Sequence, residues 1–187
     1  MTLTELDSVL DYAQSVSIRV IAPSELVEVL NDLTALLVET VNRGEPLGFM
    51  TPIDDDIARD YWISLLPDLR AGRVTLFVAM SEGSVVGSAQ LVPSRRGNSP
   101  HRAQIEKVFV AREVRGRGVG TTLMKAIEQL ALHYRRRLLL LNTRAGEHAH
   151  EWYRSLGYKD VGVVPGWAIG PYGERYDHVE MYKELAG

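Results

Sequence analysis

Arg115-Gly116-Arg117-Gly118-Val119-Gly120 is the stretch of this chain whose residue types and spacing could do chemistry most directly. Three glycines at alternate positions leave a turn with no side-chain wall on one side, and Arg115 and Arg117 add positive charge. The turn follows an apolar run, Val108-Phe109-Val110, and opens a helical pattern from Thr121 to Tyr134. A helix start offers unpaired N–H groups and the positive end of the helix dipole. Together these features suit a diphosphate, with the N–H groups from Arg115 to Thr121 as donors. Gly120 comes one residue early for the dinucleotide fingerprint G-x-G-x-x-G. No Gly-Lys-Ser/Thr follows, so the stretch is not a Walker A loop either.

Other reactive side chains are fewer. There is no cysteine, which excludes disulfides, thiolate metal sites and cysteine nucleophiles. His148 and His150 lie two apart on an expected helix and so point apart, and His-x-His-Glu is not the H-E-x-x-H arrangement; no metal is read here. Asp54-Asp55-Asp56 stands where a helix begins, which suits the dipole better than a cation. Arg135-Arg136-Arg137 follows a helix and complements its C-terminus. Arg95, Arg96 and Arg102 flank a polar loop that could hold an acidic group or a phosphate. Phe49, Met50, Trp62 and Trp167 are pocket candidates, with core packing the safer reading for Trp62.

The elements that must position these residues alternate. Leu3, Leu6, Val9, Leu10 and Ala13 have helical spacing over residues 2–14. A strand is expected over 16–22, then Pro23 and a capping Ser24, then a helix from Glu25 closed by Asn42-Arg43-Gly44. After a loop over 45–52, a helix starts at the aspartates and runs through Leu69 toward Gly72. Strands over 74–80 and 85–92 form a hairpin about Ser81-Glu82-Gly83-Ser84. In the next strand, 101–110, apolar residues Ala103 and Ile105 are followed by Val108 and Val110. The step of three from Ile105 to Val108 breaks the period of two, and a β-bulge near Glu106-Lys107 would restore one face. The glycine turn and its helix follow. Next come a buried strand Leu138–Leu141 ending at Asn142, a short helix Glu147–Leu156, and strands 158–164 and 176–184 joined by a Gly/Pro-rich loop. The edge near 176–184 offers a pairing surface for a homodimer. No internal repeat or low-complexity segment is present.

The 187 residues suit one domain, and 45% hydrophobic with 24% charged residues suits a soluble globular protein. A net charge of −3 gives no bulk attraction to nucleic acid or an anionic membrane. The first residues lack a basic n-region and an apolar h-region, and no apolar run approaches the roughly 20 residues that span a bilayer. A cytoplasmic protein is expected.

The order apolar strand, Arg-Gly-Arg-Gly-Val-Gly, amphipathic helix, strand, then Trp152-Tyr153-Arg154-Ser155-Leu156-Gly157-Tyr158 resembles the GNAT N-acetyltransferase superfamily over roughly residues 16–185. The resemblance implies an α/β fold: a single-domain GNAT (acyl-CoA N-acyltransferase) fold at 16–187, with 1–15 as an N-terminal helical extension. Its mixed central sheet would have about seven strands, with helices on both faces. It implies acetyl-CoA as cosubstrate, a small-molecule amine as acceptor, and acetyl transfer to that amine. The two central parallel strands, here 103–110 and 138–142, would splay at their C-terminal ends and leave backbone groups to pair with the pantetheine arm.

The resemblance also distributes roles. Gly116, Gly118 and Gly120, with Arg115, Arg117, Val119 and Thr121, would wrap the pyrophosphate. Val108, Phe109 and Val110 would present main-chain groups to the pantetheine and the thioester carbonyl. Tyr153 would face the sulfur and protonate the leaving thiolate. Related members carry carboxylates at the positions of Gln104 and Asn142. Here both are amides, which accept hydrogen bonds but cannot take the amine's proton. Glu106, two residues from Gln104, is the first candidate base, acting through a water. Gln104 and Asn142 would orient the amine or that water, and Asn142 could also hold the pantetheine amide. A catalytically weak acyl-CoA-binding module remains a second reading, and a different nucleotide-binding α/β protein a third.

Overall fold

The computed structural model describes residues 15–45, 47–170 and 172–186. The helix expected over residues 2–14 lies outside them. A seven-stranded sheet forms the centre, in the order β1-β2-β3-β4-β5-β7-β6. The strands are β1 (Ser17–Ile21), β2 (Thr75–Ser81), β3 (Ser84–Pro93), β4 (Arg102–Val110), β5 (Leu138–Arg144), β6 (Lys159–Ile169) and β7 (Arg175–Glu184). Every neighbouring pair is antiparallel except β4 and β5, which run parallel. Helices α1 (Leu26–Asn42), α2 (Asp55–Ser64) and α3 (Leu66–Arg70) cover one face; α4 (Val119–His133) and α5 (His148–Ser155) cover the other. The expected mixed α/β sheet with helices on both faces is what forms.

Local chemistry explains most boundaries. Along α1, Leu26, Val29, Leu30, Leu33, Leu37 and Val41 recur at three- and four-residue steps and are all buried. Ser24 does not cap this helix. Glu25 occupies the N-cap without a side-chain bond to the helix; its carboxylate instead reaches back and accepts from the Ala22 N–H at 2.8 Å. Asp54 caps α2 as its position suggested, accepting from the Ile57 N–H at 2.9 Å. The helix expected to run on to Leu69 breaks at Leu65, because Pro67 has no N–H to continue the ladder. At the end of α4 the Arg136 N–H bonds Ala131 O and the Arg135 N–H bonds Leu132 O, a Schellman closure with Arg135 at φ +57°.

The sheet corrects three other expectations. β5 continues through Arg144 because β7 pairs with it to the end. β6 runs to Ile169, absorbing Pro165-Gly166 as an irregularity in its ladder with β7. The segment 176–184 is not an edge, since β7 lies between β5 and β6; the edge on that side is β6.

The β4 bulge is present. Glu106 pairs with Gln90 and Phe109 with Ser88, so β4 holds one residue more than β3 across that step, with Lys107 at φ +52°. Ile105, Val108 and Val110 thus all pack toward α4, while Phe109 joins the core under α1.

Candidate active site

β4 and β5 pair over only three positions, Arg102 with Leu138, Ala103 with Leu139 and Gln104 with Leu140. Beyond Gln104 the strands separate. β4 keeps β3 on its outer side and β5 keeps β7 on its own, so the inner edges of both lack a strand partner. The Ala111 N–H bonds Val86 O on β3 at 2.8 Å. Groups one residue apart leave a strand on opposite sides, so the Val108 and Val110 N–H groups point into the gap. The gap is a wedge with backbone donors and acceptors along its walls, which an extended amide-bearing chain could satisfy as a strand does.

The glycine turn closes the wide end. A short 3₁₀ turn, Arg112–Val114, links β4 to it. Gly116 and Gly118 lie at φ +75° and +81°, where L side chains are strained. Gly118 is the N-cap of α4 and supplies no side-chain bond to the first turn, which leaves the N–H groups there for another acceptor. Gly120 serves a different purpose. A Cβ there would stand 3.0 Å from Cζ2 of Trp152 on α5. Arg115 turns back onto the protein: its Nε donates to Val110 O at 3.0 Å and its Nη1 meets Glu45 Oε1 at 2.8 Å. Its guanidinium therefore closes the top of the wedge. Val119 is buried core, and Thr121 is half-buried in the first turn of α4.

Tyr153 is 6% exposed and packs edge-on to Tyr158 and against Trp152. Burial pushes its phenol well above the usual range, so the hydroxyl keeps its proton. Tyr158 is raised too, by burial and then by the Glu128 carboxylate, which also takes two bonds from Lys183 Nζ at 2.7 and 2.8 Å.

Gln104 and Glu106 face away from α4, as does Asn142 on β5, whose neighbours Leu141 and Thr143 point inward. All three are half-buried. Beside Glu106 stands a polar group the sequence did not flag. Gln90, buried opposite Glu106, donates to the Tyr61 hydroxyl at 2.8 Å. Tyr61 is pushed up to about 12, by burial first. The Lys107 ammonium lies 5.6 Å over the Tyr61 ring, and burial lowers its pKa against the pull of Glu106. Glu180 is the register partner of Asn142, which sets a carboxylate beside that amide. The spacing marked the bulge at Lys107, but its seat over Tyr61 depends on a helix far away in the chain, and the place of Glu180 depends on a cross-strand pair.

The remaining candidates separate. Trp62 is core; Met50 is exposed. Arg102 starts β4 and Arg95 and Arg96 lie in the loop before it, roughly 26 Å or more along the strand from the glycine turn, so they cannot join a diphosphate held there. His150 accepts from the Gly146 N–H through Nδ1 at 3.1 Å and so donates to Asp160 Oδ1 through Nε2 at 3.0 Å. Both ring nitrogens thus tie the start of α5 to β6.

A family model described as "Acetyltransferase (GNAT) family" matches residues 34–158. The chain belongs to this family and is an N-acetyltransferase by that membership. It is 33% identical over 119 residues, 62% of this chain and 68% of the other, to an uncharacterized N-acetyltransferase of the hisH-hisA intergenic region of Azospirillum brasilense. Among solved structures it is similar to a ribosomal-protein-alanine N-acetyltransferase from Brucella melitensis, with TM-score 0.71 and 26% identity over 90% of this chain and 99% of that one. It also shares its fold with a phosphinothricin acetyltransferase from Sinorhizobium meliloti solved with AcCoA, with TM-score 0.73 and 19% identity over 92% and 89% of the two chains. Among the described residues, no helix is long and apolar enough to cross a membrane.

Proposed function

We propose that the protein moves an acetyl group from acetyl-CoA to a primary amine of a small molecule by direct attack within a ternary complex. The observation that carries this reading is the wedge: a parallel pair that parts after Gln104, opening beneath a helix start with no side-chain cap. Bound acetyl-CoA supplies an acyl group on a thiol leaving group. The N–H groups of Val108 and Val110 pair with the pantetheine arm and with the thioester oxygen, where a fixed donor stabilises developing negative charge. The turn Arg115–Thr121, including Gly116, Arg117, Gly118, Val119 and Gly120, holds the diphosphate through its main chain.

Glu106 takes the amine's proton through a water, with Gln104 and Asn142 orienting the nitrogen. As the new C–N bond forms and the C–S bond breaks, Tyr153 donates a hydrogen bond to the sulfur. Because burial raises this phenol, while a thiol titrates near about 8.5, stabilisation of the thiolate by that bond is its main contribution, and full proton transfer is uphill. Positioning of the two reactants supplies much of the remaining rate.

The acceptor is amino-acid-like or antibiotic-like. The chain resembles the tabtoxin resistance protein, which acetylates an amino group of a small antibiotic toxin. That likeness rests on Leu37–Val41, Gly48–Met50, Ser88–Leu91, Arg102-Ala103, Leu138–Thr143 with Ala145-Gly146, and Val161-Gly162 with Pro165-Gly166. Any homodimer on this side of the sheet pairs along β6, whose Val161, Val163 and Ile169 are exposed. The deciding experiment is thermal stability against acetyl-CoA, CoA, NAD and ATP, followed by an amine panel with acetyl-CoA. A concentration-dependent rise with acetyl-CoA and not with NAD or ATP is expected. No rise, or a larger one with NAD or ATP, overturns the reading.

A further inference from the structure

Arg144 ends β5, and His178 is its register partner on β7. Both are in line with residues of the acceptor side of the sheet: Arg144 is two positions from Asn142, and His178 two from Glu180. The Arg144 guanidinium lies over the Tyr176 ring, its Cζ 3.7 Å from the centroid, with one Nη 3.3 Å from Glu147 Oε1. Its Nε is buried and has no hydrogen-bond partner among the described residues. His178 is 5% exposed, and the Trp167 ring stacks on it at 5.9 Å and 19°. Both of its ring nitrogens are buried without a partner among the described residues.

Three unsatisfied nitrogens on two cross-strand neighbours are costly. A buried polar group left unpaired keeps its full desolvation cost, more so when charged, and native proteins hold few such groups. Here they are fixed in place by two aromatic rings rather than turned to solvent. Their chemistry is also of one kind. A guanidinium N–H and an imidazole N–H, beside a permanent positive charge, match the oxygens of a planar oxyanion. Among the described residues, the carboxylate paired with Arg144 is that of Glu147, whose side chain is 48% exposed and so screened by water. Glu174 is occupied by the Tyr176 hydroxyl at 2.5 Å, and Asp177 by the Gly166 N–H at 2.8 Å.

We infer that Arg144 and His178 form a carboxylate-recognition subsite for the acceptor, so that the amine this protein acetylates also carries an acidic group. The two-residue offset from Asn142 and Glu180 places that group about 7 Å along the strands from where the amine would be held. Tyr176 and Trp167 form the walls of the subsite. This inference rests on the wedge being the site of acetyl transfer.

The test uses matched acceptors: ω-amino acids with two to six methylenes, each against its own neutral carboxamide, assayed by release of free CoA. The subsite predicts at least one pair in which the acid has a kcat/KM 10-fold or more above the amide. It also predicts that Arg144→Gln brings that ratio close to one. A wild-type ratio within twofold across the whole series, or a ratio that survives Arg144→Gln, overturns the inference. The imidazole resonances of His178, followed by NMR in the presence of free CoA, which carries no acetyl group to transfer, give a readout independent of turnover and of the variant's folding. A shift on adding the acids but not the amides supports the subsite, and no shift with either overturns it. The thermal response to acetyl-CoA, measured in parallel, reports separately on the proposed function. A protein that responds to acetyl-CoA but ignores the carboxylate refutes the subsite alone.

Discussion

Tyr153 and the glycines of the turn would contribute to the proposed site in different ways. Tyr153 sits in an apolar setting that keeps its proton on, so in the proposed reaction its value lies in the hydrogen bond it gives. Tyr153→Phe removes that bond and little else from a packed aromatic position. It is expected to lower kcat on the order of 10²-fold with acetyl-CoA affinity nearly unchanged; steady-state kinetics showing an unaltered kcat would remove Tyr153 from the chemistry. Among the glycines, Gly116 faces open space and is required by its positive φ, while Gly120 is required by the Trp152 ring. Gly116→Ala therefore costs about 1 kcal/mol of backbone strain. Gly120→Ala forces Trp152 to move and costs about 1–3 kcal/mol. Because Trp152 touches Tyr153, only the Gly120 variant is expected to lower kcat as well. Melting curves and kinetics on the two purified variants separate these effects.

At the scale of elements, α5 depends on an ionic tie to β6. The Arg154 guanidinium, and then His150, hold the Asp160 carboxyl below the usual range. A carboxylate depressed in the folded state adds stability above its unfolded pKa of about 3.9, and that contribution is lost as pH falls through the lower folded value. Asp160→Asn should thus melt below the wild type at pH 7, and the gap should narrow as pH falls below about 4. A gap that stays constant down to pH 3 would mean that the pair contributes nothing as an ion pair. The bulge acts on a different element. By inserting Lys107 it turns Val108 and Val110 onto the α4 side and directs their N–H groups into the wedge.

For the whole molecule, the sheet is two antiparallel halves joined by a parallel contact of three residue pairs. A ligand lying in the wedge would extend that contact and bridge the halves. Amide hydrogen exchange at Val108 and Val110 should slow when acetyl-CoA is present, while the outer strands β1 and β2 change little. Equal protection with and without acetyl-CoA would show that the wedge does not hold the pantetheine.

The sequence by itself determined the elements whose cause is local. The periodicity of α1 and α4, the Asp54 cap, the glycine turn and the broken alternation from Ile105 to Val108 are all written within a few residues of where they act, because capping, φ preference and side-chain period are short-range effects. Gln104 and Asn142 were legible only through the family resemblance, and Glu106 through its place two residues from Gln104. Only the tertiary structure decided which groups stand beside them. Glu180 reaches Asn142, and His178 reaches Arg144, through strand register between segments more than 30 residues apart. Tyr61 reaches the bulge from a helix on another part of the chain. The interior position of β7 was decided the same way: β7 can pair on both sides, and the choice of neighbours depends on the packing of the whole sheet rather than on any property of residues 175–184.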